Sequence, residues 1–184
     1  MPRNKPYKRT LDRYRAQLPP TKHRRSPGNR TLTVLPQFPL EDIYISLFTE
    51  RRIYDRDGNE SYEPIEHRVK ATHVEMLDAL RLALDEGAVN LKSFGSRYGL
   101  TPPDLNGFVL ALTGMEATTF RMAWQMRRVD ELLRYTDLTI EEVARRSGVG
   151  TGSNLFYACQ RDFHCSPSER RDAIREWNDV GRFR

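Results

Sequence analysis

A chain of 184 residues buries one ordinary core or two small ones, so one to two domains are expected and a large catalytic barrel is not. Hydrophobic residues make up 38% and charged residues 30%, a polar, soluble composition with no run near the roughly 18 apolar residues of a membrane span and no apolar centre of a signal peptide at the Pro-rich, basic start. Cys159 and Cys165, the only cysteines, are too few for a disulfide framework and lack the second pair of a zinc site, so no metal or cofactor is expected and the cytoplasm is the expected compartment.

Residues 1–30 hold ten Lys/Arg against Asp12 alone, with little apolar periodicity. Such a segment cannot offset the entropy of ordering, and it reads as a basic, disordered arm. Residues 31–69 read as a small irregular module. Thr31–Leu35 and Ile43–Phe48 are β-favouring runs, and Arg52-Ile53-Tyr54 leads into Asp57-Gly58, a hairpin-turn dipeptide. Asp55, Asp57, Asn59 and Glu66 fall at positions 1, 3, 5 and 12 of a calcium-loop template, but Glu60 stands where the sharp turn needs Gly, which favours a polar turn.

From Val69 the period becomes helical. Val74, Met76, Leu77, Leu80, Leu82 and Leu84 make a largely apolar helix that stops at Gly87. A short helix over Asn90–Tyr98 closes at Gly99. Thr101-Pro102-Pro103 opens another that ends at Gly114. Phe120, Trp124, Val129, Leu132 and Leu133 mark a longer helix, with Trp124, Leu155 and Phe163 expected in the core. Thr139-Ile-Glu-Glu142 and Ser166-Pro-Ser-Glu169 are capping boxes, with a helix over about Gly152–Phe163 between them. The expected fold is therefore mainly α: two helix-turn-helix subdomains joined by a linker helix over residues 70–175, followed by a tail over 176–184.

Ile140, Val143-Ala144, Gly148-Val149, Ser153 and Leu155, followed by Phe163, Ser166-Pro167, Glu169 and Arg171, resemble the second helix-turn-helix of the AraC/XylS family in spacing. Leu91, Phe94-Gly95, Gly99, Leu105, Gly114-Met115, Phe120 and Leu132-Leu133 are similar to the first unit and its linker helix. The resemblance implies a bacterial, nucleoid-associated transcription regulator, not an enzyme, whose two recognition helices enter successive major grooves of double-stranded DNA. It implies base-facing positions at Gly152, Ser153, Asn154, Phe156 and Tyr157, with Gln160 and Arg161 placed for phosphate or edge contact. In the first unit the matching positions are Pro103, Asn106 and Gly107, where only Asn106 has reading chemistry and neighbouring Asp104 repels phosphate. It also implies that His164 takes a left-handed backbone where the family favours Gly.

Residues 1–70 are too short and charged for the sugar-binding barrel of many members, so no ligand-sensing domain is expected and regulation falls to abundance or to contact with RNA polymerase or another regulator. Residues 70–184 carry 16 Lys/Arg and 16 Asp/Glu, so the arm holds the long-range attraction for DNA. A competing reading is a protein-interaction module that keeps the fold without specific DNA readout; an RNA-binding protein with a basic arm is a third. No nucleophile–base pair, metal cluster or phosphate-cradling Gly loop supports an enzyme.

Overall fold

The computed structural model describes residues 35–66, 72–87 and 89–184. The basic arm, most of the Thr31–Leu35 run and the boundary at 69/70 lie outside them. Among the described residues there are eight helices and one two-stranded antiparallel sheet, the mainly α class expected.

A single helical turn, α1 (Leu40–Ile43), precedes the hairpin of β1 (Glu50–Tyr54) and β2 (Glu60–Pro64), registered from Glu50↔Pro64 to Tyr54↔Glu60. Asp55 builds the turn. Its Oδ1 accepts from the N–H groups of Asp57 and Asn59, each at 2.8 Å, and its Oδ2 from the Asn59 amide. Gly58 supplies the positive φ of 83° that closes the loop. Ile43–Phe48 is not a strand: Ile43 ends α1, and Ile43 and Phe48 are buried in two different apolar clusters. Packing overrides their β preference, since each side chain must reach its own core.

The helical part runs α2 (Glu75–Asp85), α3 (Leu91–Arg97), α4 (Pro102–Thr113), α5 (Ala117–Tyr135), α6 (Ile140–Arg146), α7 (Gly152–Phe163) and α8 (Pro167–Ile174). Each start after α2 except that of α5 is capped by the side chain of its own N-cap residue. Asn90 caps α3, Thr151 caps α7, and the pairs Thr101/Asp104, Thr139/Glu142 and Ser166/Glu169 form complete capping boxes on α4, α6 and α8. α4 and α7 both end in left-handed caps, Gly114 at φ 72° and His164 at φ 58°. His164 thus takes the conformation that the resemblance implies. In α2, Leu77, Leu80 and Leu84 are buried, whereas Leu82 falls on the opposite side and is 59% exposed.

Two apolar clusters share the linker helix α5. Its N-terminal half gives Phe120 and Trp124 to a core with Leu77, Leu80, Phe94, Leu105 and Val109; its C-terminal half gives Val129, Leu132 and Leu133 to a core with Val143, Leu155 and Cys159. Residues 35–66 form no core of their own. Phe38, Leu40 and Ile43 join the first cluster and Phe48 the second.

The C-terminal residues fold back on the free edge of β1. Arg51 bridges Phe183, the N–H groups of Thr49 and Glu50 donate to the Arg184 carbonyl, and that of Arg52 donates to the Arg182 carbonyl at 2.8 Å. Phe183 then packs edge-on against Tyr135 at 4.6 Å, which fastens sheet and tail to the end of α5. Covering that edge also removes a row of unpaired backbone groups.

Candidate nucleic-acid interface

The units α3–α4 and α6–α7 place their second helices, α4 and α7, by equivalent residues. Leu105 and Leu155 are each the fourth residue of their helix, and both are buried to 2% exposure or less. The two helices differ in the exposed residues that face away from those anchors.

On α7, a rotation of 100° per residue sets Ser153, Phe156, Tyr157 and Gln160 on one outer face, opposite Leu155 and Cys159. All four are exposed. The Tyr157 ring is 72% exposed and meets Phe156 edge-on at 5.8 Å, so two aromatic rings stand uncovered on a polar helix. Asn154 and Arg161 lie to one side. They border a groove of about 280 Å³ against α5, with Arg121 and Gln125 opposite. The Asn154 amide approaches the Val149 carbonyl at 3.5 Å, and Arg161 is clasped to Asp162 at 2.5 and 2.7 Å. Arg121 and Gln125 carry no motif signal; only the packing of α5 against α7 brings them to this edge.

Gly152 occupies the first turn of α7, where its N–H donates to Glu141 at 2.8 Å. A Cβ there would lie 2.5 Å from the same carboxylate oxygen, so glycine is what lets Glu141 sit over the helix start. An acidic side chain near a helix N-terminus is favoured by the helix dipole.

On α4, Pro103, Asp104, Gly107 and Ala111 are exposed. None offers a long polar or cationic side chain. Asn106 is half-buried, and its Oδ1 accepts from the Ala117 N–H at 2.9 Å, so it ties α4 to the start of α5. Asp104 hydrogen-bonds the Thr101 hydroxyl and backbone N–H, which hold its carboxyl below the usual range. Its charge therefore serves the cap at neutral pH.

The arginines of the helical part are largely engaged in holding it together. Arg170 forks onto Asp130 at 2.9 and 2.7 Å and lies over the Phe163 ring at 4.0 Å. Arg134 pairs with buried Asp179 at 2.6 Å, Arg175 with Asp137 at 2.8 Å, and fully buried Arg128 with Asp85. Burial pushes the Cys159 thiol up to about 11, so it is an unreactive core group. The described residues contain no cluster of metal-ligating side chains, and none of their helices is long and apolar enough to cross a membrane.

Residues 94–173 match the model of a helix-turn-helix domain family, spanning both units and the linker between them. The C-terminal domain of AraT, a response regulator from Geobacillus stearothermophilus, superposes with a TM-score of 0.52 at 20% identity, covering 59% of this chain and 93% of that one. Residues 94–173 thus match a helix-turn-helix domain, and the fold is shared with AraT. Also similar are the DNA-binding domain of AdpA, a global transcriptional factor solved with a target DNA (TM-score 0.49, 20% identity, 53% of this chain and 90% of that one), and an AraC-type regulator from Chromobacterium violaceum (TM-score 0.46, 16% identity, 54% and 88%). No curated protein matches the chain.

Proposed function

We propose that the helix-turn-helix domain is of the AraC type and binds double-stranded DNA as a sequence-specific regulator, with α7 carrying most of the direct readout and α4 contributing position more than base recognition. The observation behind this reading is the contrast in exposed chemistry. Ser153, Asn154, Tyr157 and Gln160 bring hydrogen-bonding groups to the α7 side, and Phe156 offers an apolar edge suited to a thymine methyl. Pro103 and Gly107 bring neither, and Asn106 has its acceptor occupied by Ala117. In this reading both helices enter successive major grooves, and Gly152 and Arg161 flank the contact at the two ends of the α7 face.

Long-range attraction is assigned to residues 1–30, because they hold nine net positive charges while residues 70–184 hold none. Replacing the ten Lys/Arg of 1–30 with Gln should weaken binding to every duplex and flatten the dependence of log affinity on log salt by several units of slope. Base preference should stay the same. A salt slope that survives the replacement would move the electrostatic footprint onto the helical domain.

A further inference from the structure

A second concavity lies away from the recognition faces. It has a volume of about 580 Å³, within the range of sites that take small organic molecules. Its floor is apolar, made by Leu47, Phe48, Leu132 and Phe183, with the two phenyl rings 6.2 Å apart. Its rim is cationic. Arg145 and Arg146 leave the end of α6 side by side, and their guanidinium groups hydrogen-bond to no described residue, unlike most other arginines of the fold. Arg128 reaches the same cavity from α5 with its head buried on Asp85, while its Nε, also buried, has no partner. Arg184, the fourth arginine of the lining, is held by Glu50 and lies over the Tyr62 ring.

We propose that this cavity binds a small amphipathic anion, a carboxylate on a short aliphatic or aryl body. The body would lie on Phe48, Leu132 and Phe183, and the carboxylate would face Arg145 and Arg146, whose planar forks match its two oxygens. Two acidic residues, Asp85 and Glu86, border the cavity; Asp85 is already neutralised by Arg128, so the balance of the lining is positive. The same balance disfavours the cationic segment 1–30 as an occupant. An inorganic phosphate would leave the apolar floor uncovered.

The location gives such a ligand a use. The walls come from the end of α2, from α5 and from the end of α6. Immediately beside them Gly87 meets Gly148, so closely that a Cβ on Gly148 would lie 3.3 Å from the Gly87 backbone. An occupant touches the end of α2, the linker helix α5 and the end of α6 beside the Gly87–Gly148 contact, where it bears on the angle between α2 and the second helix-turn-helix unit. The site itself does not depend on whether α7 reads bases.

Calorimetric titration of the full chain with octanoate tests the proposal, with 1-octanol as the uncharged probe. The expected result is saturable 1:1 binding of octanoate that weakens with rising salt, with octanol much weaker. R145Q/R146Q should raise the octanoate Kd by about tenfold or more, while R127Q, an exposed arginine outside the cavity, should not. If the double variant fails to fold, the single variants R145Q and R146Q must each weaken binding. No saturation at millimolar octanoate, equal binding of octanol, or binding indifferent to Arg145 and Arg146 would overturn the site.

Discussion

The two helix-turn-helix units follow one plan on the inside and two on the outside. Each begins its second helix with a threonine cap, buries a leucine at the fourth position and ends in a left-handed residue. Yet α4 shows solvent Pro103, Gly107 and Ala111, and α7 shows it Ser153, Phe156, Tyr157 and Gln160. The inward residues are constrained by packing and the outward ones are not, so a fold can be retained while one face is stripped of recognition chemistry.

Breaking the shared interior gives the largest effects. Leu105→Ala and Leu155→Ala should each cost about 2–5 kcal/mol, the range for a buried leucine that leaves a cavity, read as a fall in the urea midpoint. Similar losses are expected because both side chains are fully enclosed. A loss under about 1 kcal/mol for one of them would mean that its unit is loosely packed and that the internal symmetry fails.

The two asparagines separate folding from recognition. Asn106→Ala removes the acceptor of the Ala117 N–H and should lower stability by about 1 kcal/mol, as loss of a helix-start cap does. Asn154→Ala, on the exposed α7 side, should leave the melting temperature near that of the unaltered chain and weaken the preferred DNA site by about 1–3 kcal/mol. Thermal melts and binding titrations on the same two variants show whether the effects cross as expected or coincide.

The two glycines near the exposed faces should also behave oppositely. A Cβ at Gly107 meets nothing within 4 Å, so Gly107→Ala should raise stability by up to about 1 kcal/mol through helix propensity alone. At Gly152 the Cβ displaces the Glu141 carboxylate, so the same change there should gain less or lose. Equal gains at both sites would show that Glu141 contributes nothing at the start of α7.

The smallest effect is on pH dependence, and both units share it. Hydrogen bonds from Thr101 hold the Asp104 carboxyl low, and those from Thr139 do the same for Glu142. A carboxyl lowered on folding adds stability that is full above its ordinary range and is lost as acid titrates the folded form. The melting temperature should therefore fall below about pH 4. Glu142→Gln, which keeps the cap geometry without the titration, should flatten part of that fall.

Much of this architecture was legible in the sequence because its signals are local. Thr139/Glu142 and Ser166/Glu169 announce two helix starts within four residues each, and Pro102 with Gly114 brackets α4. What escaped depends on partners distant in the chain. Nothing local tells that Asn106 bonds Ala117, that Arg128 buries itself on Asp85, or that 182–184 pair with β1. Ile43–Phe48 misled for the same reason: β-branched and aromatic residues favour strands, but here they are pulled to two separate cores. The exposed face of α7 was legible through the family resemblance, with which helical spacing from Leu155 agrees, whereas the side groove with Arg121 and Gln125 needed α5 in place.

The division of labour between α4 and α7 is tested most directly by selecting bound sites from random duplex DNA with three proteins: the unaltered chain, Tyr157→Ala and Pro103→Ala. The expected outcome is a defined preferred site for the unaltered chain, loss of preference at one or two adjacent base pairs for Tyr157→Ala, and a profile unchanged by Pro103→Ala. A profile that survives Tyr157→Ala but collapses with Pro103→Ala would contradict the assignment.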